Sequence, residues 1–354
     1  MAGDRKTASL SPVTGNSSGI GIFDCQLVAT PRIVKSTFSS RPAVRQRRSR
    51  WDFFFRCLAW GLLGVTLAGR LGAYFFLFEL FSHFAVQAVA AGVGLLYFVR
   101  KDRAALGAAG VSLLIQGWQV VPWLMGNPAV SNPVKGDGIR IMHANVLYAN
   151  TAYPEILKSL EEEKADVLFV AEVTPAFFHA FHARFRTMYP YQYMVYTKSR
   201  FHVLVGSRTP LKINHKSVTE NRMLDATTVV RGREIALVSV HPKTPVKPAW
   251  FASRNRRLSG AFEAAAAHQQ PAVLAGDFNV SVFSPVYQAL VGQSGLLACR
   301  KGFGLLPTYR NGYGPLMIPI DHVLTNDGFR TTSFRTRDIP GSDHKAVIAD
   351  LQFR

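Results

Sequence analysis

Residues 271–280 read PAVLAGDFNV, an apolar run that ends on a glycine, an acid, an aromatic ring and an amide. The same kind of ending recurs along the chain. Asn145 closes GIRIMHANV, Glu172 closes ADVLFVAEV, His241 follows EIALVSV, and Asp277 and Asn279 close the run just quoted. Asp321 with His322, and Asp343 with His344, flank the last two runs. Carboxylates with an asparagine form an all-oxygen donor set that suits a hard cation such as Mg2+ or Mn2+. The sequence has neither a cysteine cluster nor a helical HExxH pattern, which argues against structural or proteolytic zinc. Histidines close to carboxylates can donate to phosphoryl oxygens or shuttle a proton. A metal, a carboxylate to orient water and imidazoles to meet developing charge are what hydrolysis of a phosphate ester requires.

Each residue alone also has a structural reading. Asn145 suits a turn, and His241 suits a satisfied core imidazole. Glu172 is a metal ligand or a helix cap ahead of Pro175, GDFN is a tight turn, and SDH is an N-cap. All these readings must hold together to remove the chemistry.

The residues need elements that bring them to one place. The runs ending on them are strand-like in length, β-branched content and flanking turns. Helical stretches alternate with some of them, at about 152–164, 175–186 and 248–268. This alternation over residues 138–354 predicts an α+β domain, two packed sheets covered by helices in a four-layer sandwich. Polar groups at one edge of such a sandwich converge in space.

The remainder of the 354-residue chain is different. Overall 48% of residues are hydrophobic, and the excess lies within 53–125. Three apolar runs, 53–69, 73–99 and 104–125, are each near the roughly 20 residues that a bilayer core demands. They predict a three-helix transmembrane anchor. Residues 1–52, rich in Ser, Thr, Pro and Arg, read as a disordered basic leader, and 126–137 as a Pro/Gly/Asn linker. A cleaved signal peptide does not fit a first apolar run that starts so late and is followed by two more. The leader holds nine Lys/Arg against three Asp/Glu, and RKDR follows the second run. Positive charge stays cytoplasmic, so three spans send the domain to the extracytoplasmic side. Glu79 and His83 leave the start of the second span open, and two spans would keep the domain in the cytoplasm. Of three cysteines only Cys299 lies in the domain, so no disulfide forms within it.

The ordered landmarks HANVLY, VAEVT, SVHP, GDFN, IDH and GSDH, from Asn145 to His344, resemble the endonuclease/exonuclease/phosphatase superfamily. This is the deoxyribonuclease I-like fold, whose members include nucleases, sphingomyelinases and inositol-phosphate phosphatases. With its apolar amino-terminal segment the chain looks like the membrane-attached bacterial members, which implies a multi-pass protein of the bacterial inner membrane. The resemblance implies that Asn145, Glu172 and Asp343 hold the metal, Mg2+ or Mn2+. It implies that His344 contacts the scissile phosphate or takes its proton, with Asp321 fixing its tautomer. Asp277, supported by Asn279, would orient the attacking water, and His241 would donate to a non-bridging oxygen. The implied activity is a metal-dependent phosphoesterase, nuclease-like, working by in-line attack of activated water on a phosphodiester. The alternatives are a phosphatase or phospholipase C-type enzyme acting on a lipid or inositol-phosphate headgroup, and an inactive phosphate-binding module.

The chain departs from the family pattern in places. Val240 stands where many members carry Thr, and PKTP follows the histidine. Tyr191, Tyr193 and Tyr196 match only by position a tyrosine that many nucleases place between the glutamate and this histidine. From residue 127 onward there are 27 Lys/Arg and 17 Asp/Glu, with basic clusters RFRTMY, RNRR, RTRD and HPKTPVKP. Such a surface suits partners that carry phosphate, nucleic acid or phospholipid headgroup, as well as membrane lipid beside the anchor.

Overall fold

The structure is a computed structural model that describes residues 49–125, 137–196 and 202–354. The leader, but for its last four residues, and the linker, but for Asp137, lie outside the described residues.

Four helices come first: α1 (Arg50–Arg70), α2 (Phe76–His83), α3 (Ala85–Val99) and α4 (Arg103–Leu124). The domain follows with β1 (Gly138–Asn145), α5 (Tyr153–Glu162), β2 (Val167–Val173), α6 (Pro175–Phe185), β3 (Tyr191–Val195), β4 (His202–Ser207), β5 (Leu211–Ile213) and α7 (His215–Asn221). Next come β6 (Leu224–Val230), β7 (Arg233–Ser239), α8 (Pro248–Ala267), β8 (Ala272–Asp277), α9 (Pro285–Ser294), β9 (Leu297–Ala298), β10 (Asp321–Thr325), β11 (Phe329–Asp338) and β12 (Lys345–Phe353).

Ser49 and Asp52 form a reciprocal capping box at the start of α1, and Asp102 caps α4. Both helices are long and apolar enough to cross a membrane. The run 73–99, expected as one span, is instead broken at Phe84, where α2 and α3 meet at a 65° bend. The reason is polar. Glu79 and His83 are buried against partners in the domain, which a straight span would not reach.

The strands form two six-stranded sheets, in the orders β11-β12-β1-β2-β4-β3 and β5-β6-β7-β8-β10-β9. Each has one parallel pair at its centre, β1 with β2 and β7 with β8, among antiparallel neighbours. One core lies between the sheets and includes Ile139, Ile141, Phe169, Leu237, Val273 and Val347. A second packs α5 and α6 onto the first sheet through Ile156, Leu160, Phe177 and Phe181. A third packs α8 and α9 onto the second sheet and takes in Ala85 and Val120 of the amino-terminal helices. The expected four-layer sandwich is present. The paired strands set one rim, because β1, β2 and β8 end there, β7 stops two residues short of His241, and β10 and β12 begin there.

Candidate active site

Strand pleat decides which residues reach this rim. Ile139 and Ile141 face the inter-sheet core, so His143 and Asn145, two and four residues on, face the same way. By the same period Asp277 follows Val273 and Ala275, Asp321 precedes Val323, and His241 follows Ile235 and Leu237. Glu172 has the wrong parity, since Leu168 and Val170 face α5 and α6. A bulge between Ala171 and Val173, with Glu172 at φ 62°, resets the pleat and turns its side chain to the rim. A non-glycine residue in that conformation stores strain of the kind found at functional sites. Gly276 serves close approach, because a Cβ there would lie 2.1 Å from the Val240 carbonyl oxygen.

The side chains interlock. Asn145 donates its amide NH2 to Glu172 Oε1 (3.0 Å) and Asp277 Oδ2 (3.1 Å), while its oxygen accepts from the Leu147 N–H. Glu172 Oε2 accepts the Tyr148 N–H at 3.0 Å. His241 Nε2 lies 3.4 Å from Asp277 Oδ2 and 3.8 Å from Glu172 Oε1. Asp277 Oδ1 accepts the Asn279 N–H at 2.9 Å, and the Asn279 amide donates to the Pro242 carbonyl. His344 pairs through Nδ1 with Asp321 Oδ2 at 2.9 Å, which leaves Nε2 facing Asp277 at 3.8 Å. The loop holding His344 is fixed by Ser342, whose hydroxyl donates to the Asn145 carbonyl and accepts the His344 N–H.

Charge follows from these contacts. Burial alone would push the His344 imidazolium down, but Asp321 and Asp277 outweigh it and raise the group to about 10. Burial would likewise lift Asp321 and Asp277. His344 holds both below the usual carboxylate range, with His143 assisting at Asp321 and His241 at Asp277. The site is a charged, mutually neutralising cluster.

Seven of the eight expected residues meet at this rim, and Asp343 stands apart. Its side chain is partly exposed beside His344, outside the two close groups of potential ligand atoms, Glu172–His241–Asp277 and Asp277–Asp321–His344. Within each group the ligand atoms lie within 4.8 Å of one another. In the first group the carboxylates of Glu172 and Asp277 with the His241 nitrogen fit a hard divalent cation, whereas the second is an ion-pair cluster around the protonated His344. His322 is a core residue, its Nε2 against the Val280 carbonyl and its ring against Phe278 and Tyr287. Burial pushes it down to about 3. The helix cap before Pro175 is Thr174, not Glu172.

Two residues were not anticipated. His143 Nε2 lies 3.2 Å from Asp321 Oδ1, so Asp321 serves two imidazoles. The strand period through Asn145 was the signal that marked it. Tyr309 places its ring 4.8 Å from that of His344, whereas Tyr191, Tyr193 and Tyr196 lie on or just after β3, two strands beyond Glu172. In three of the four basic clusters some arginines are paired, Arg184 with Glu161, Arg254 with Glu79, and Arg335 and Arg337 with Glu163 and Glu162, while Arg186 and Arg256 are exposed. Beside His241 the fourth cluster keeps Lys243 and Lys247, each 5.3 Å from the Trp250 ring.

Solved structures resemble the chain at low identity. The endonuclease/exonuclease/phosphatase from Beutenbergia cavernae DSM 12333 is 19% identical over 61% of this chain and 72% of that one, with a TM-score of 0.49. D. rerio TDP2 complexed with single strand DNA product is 14% identical over 61% and 99%, with a TM-score of 0.48. Sphingomyelinase C from Streptomyces griseocarneus is 18% identical over 60% and 99%, with a TM-score of 0.44. No curated protein matches the chain. The sequence model of the endonuclease/exonuclease/phosphatase family matches residues 142–344, a stretch that holds the whole cluster from His143 to His344, and the chain belongs to that family.

Proposed function

We propose that this chain is a membrane-anchored, divalent-metal-dependent phosphoesterase that hydrolyses a phosphodiester. Enzymes of its family are phosphoester hydrolases. The observation that carries the reading is the single rim at which two acid and histidine groups share Asp277. Asn145 and Glu172 would hold Mg2+ or Mn2+, while Asp343 stands apart from them, and a bound cation would supply charge neutralisation at the phosphoryl oxygens. Asp277 orients the attacking water, and the Asn279 N–H holds its other oxygen. Asp321 fixes His344 through Nδ1, so the charged Nε2–H is free to donate to a phosphoryl oxygen. His241 donates to a second non-bridging oxygen.

In this reading the anchor makes three passes in a bacterial inner membrane, with the leader cytoplasmic and the domain extracytoplasmic. Contacts at its two ends fit helices that run up and down beside one another. Phe55 stacks on Phe98 and Arg56 pairs with Asp102 at one end, while Arg70 meets Gln119 and Gln288 of the domain at the other. A lipid or inositol-phosphate headgroup is the second reading of the substrate. It is favoured by one observation: His83 of the apolar segment contacts Ser281, four residues beyond Asp277.

The test is turnover by the full chain in nanodiscs, with Mg2+, Mn2+ or EDTA. The substrates are DNA, RNA, sphingomyelin, phosphatidylinositol phosphates and bis(p-nitrophenyl) phosphate. Metal-dependent hydrolysis that falls by about 10²–10⁴ in Asp277→Ala is expected. Hydrolysis unaffected by both EDTA and Asp277→Ala would overturn the reading, and the preferred substrate separates nucleic acid from headgroup.

A further inference from the structure

An arginine–carboxylate pair as buried as any at the rim lies outside it and joins the amino-terminal segment to the domain. Glu79 of α2 is 1% exposed and Arg254 of α8 is 0% exposed. Arg254 Nη2 donates to Glu79 Oε2, and the Ser284 hydroxyl donates to Oε1 at 2.7 Å. The other arm of Arg254, Nη1, donates to the carbonyl of Asn279 at 3.3 Å. One turn along α2, His83 Nδ1 contacts the Ser281 hydroxyl at 2.9 Å. The segment Asp277–Ser284 is therefore gripped at Ser281 and Ser284 by His83 and Glu79 of α2, and at Asn279 by Arg254 of α8, which Glu79 holds. Asn279 is itself in the left-handed region, at φ 51°, a conformation that neighbouring contacts must hold. Its N–H fixes Asp277.

We propose that Glu79 is a positioning residue for the catalytic segment Asp277–Ser284. It acts through Arg254 and Ser284, so that the amino-terminal helices complete the hydrolase rather than merely tether it. The inference rests on the phosphoesterase reading of the rim. A carboxylate at 79 sets where the Arg254 fork points, and the fork sets the Asn279 carbonyl. The N–H of the same residue, in the preceding peptide, holds the Asp277 carboxylate, so a loosened fork that shifts the Asn279 backbone lets the water-orienting oxygen drift. Misplacement of this kind lowers kcat with little change in KM, because it touches the transition state rather than ground-state binding.

The experiment separates positioning from simple glue. In the full chain, Glu79→Leu with Arg254→Met replaces the buried pair by apolar side chains, an exchange that folded proteins tolerate. Glu79→Gln and the conservative Glu79→Asp complete the set. Turnover of bis(p-nitrophenyl) phosphate is measured with hydrogen exchange over residues 277–284, using peptides from β1 and β12 as internal references. The expected result is kcat down by about tenfold or more at unchanged KM in the double variant and in Glu79→Gln. Exchange should be faster over 277–284 alone, with partial rescue by Glu79→Asp. Wild-type kcat and exchange in the double variant would overturn the proposal and leave the pair as structural glue. If the wild-type chain hydrolyses none of its substrates, the phosphoesterase reading fails by itself. The exchange comparison then decides the coupling, faster exchange upholding it and unchanged exchange overturning it.

Discussion

Asp321 and its neighbours show how little burial alone says about a histidine. His322 and His344 are both withdrawn from water, yet burial and Arg300 push His322 down to about 3, while Asp321 and Asp277 raise His344 to about 10 against the same burial. The partner decides, because an opposite charge within hydrogen-bond reach outweighs desolvation. A folded-state value above the roughly 6.5 of an unfolded histidine means that His344 contributes stability fully below that pH. The contribution is lost as pH rises through about 10. For Asp321, depressed below 3.8, the contribution is present above that value and lost as pH falls. In EDTA, Asp321→Asn is therefore expected to lower stability at pH 7 by on the order of 3 kcal/mol. The gap to wild type should narrow as pH approaches 10.5. Thermal unfolding of both proteins across this range checks it, and parallel profiles would show that the pair carries no such charge.

At the scale of the element, the decisive feature is the bulge that ends β2. It converts a residue whose parity points at α5 and α6 into one that faces Asn145 and Asp277, at the expense of a left-handed glutamate. Glu172→Gly is expected to relieve that conformation, leaving the domain as stable as wild type or more stable by about 1 kcal/mol. It should also remove divalent-cation binding and turnover. Thermal unfolding paired with Mn2+ titration measures both, and a marked loss of stability would show that Glu172 holds the fold rather than the site. The strand endings themselves were legible because β2 and β8 are apolar almost to their last residues, and β7 is apolar after its first two residues until its last, as buried central strands tend to be. Edge strands such as β3 and β11 were not, since Tyr, Thr and Arg at half-exposed positions blur the period. The break at Phe84 was also illegible. Glu79 and His83 look like flaws in a span until Arg254 and Ser281, far along the chain, are placed beside them.

The described residues are held by four apolar cores, one of them within the amino-terminal helices, and of the three that involve the domain only the third takes in residues of those helices. Neither the inter-sheet core nor the core under α5 and α6 contains a residue from before β1. The third cluster adds Ala85, Val86, Val89, Val120 and Trp123 to the apolar side chains of α8, α9 and the second sheet. A chain starting at Asp137 therefore keeps the two cores that define the sandwich and should fold. Its Arg254 regains water, which removes the problem of a buried unpaired charge. What it does not regain is cover for the apolar surface under α2, α3 and α4. At roughly 1–3 kcal/mol for each fully buried large side chain, with part of each already exposed, the loss is on the order of 5 kcal/mol. That is a large share of the about 5–15 kcal/mol that stabilises an ordinary domain. The fragment is expected to show native strand content by circular dichroism, an unfolding midpoint well below that of the domain in the full chain, and self-association through the uncovered face. Light scattering and thermal unfolding, run on the fragment and on the full chain in nanodiscs, measure the difference. A monodisperse fragment with an unchanged midpoint would show that the amino-terminal helices contribute nothing to the stability of the domain.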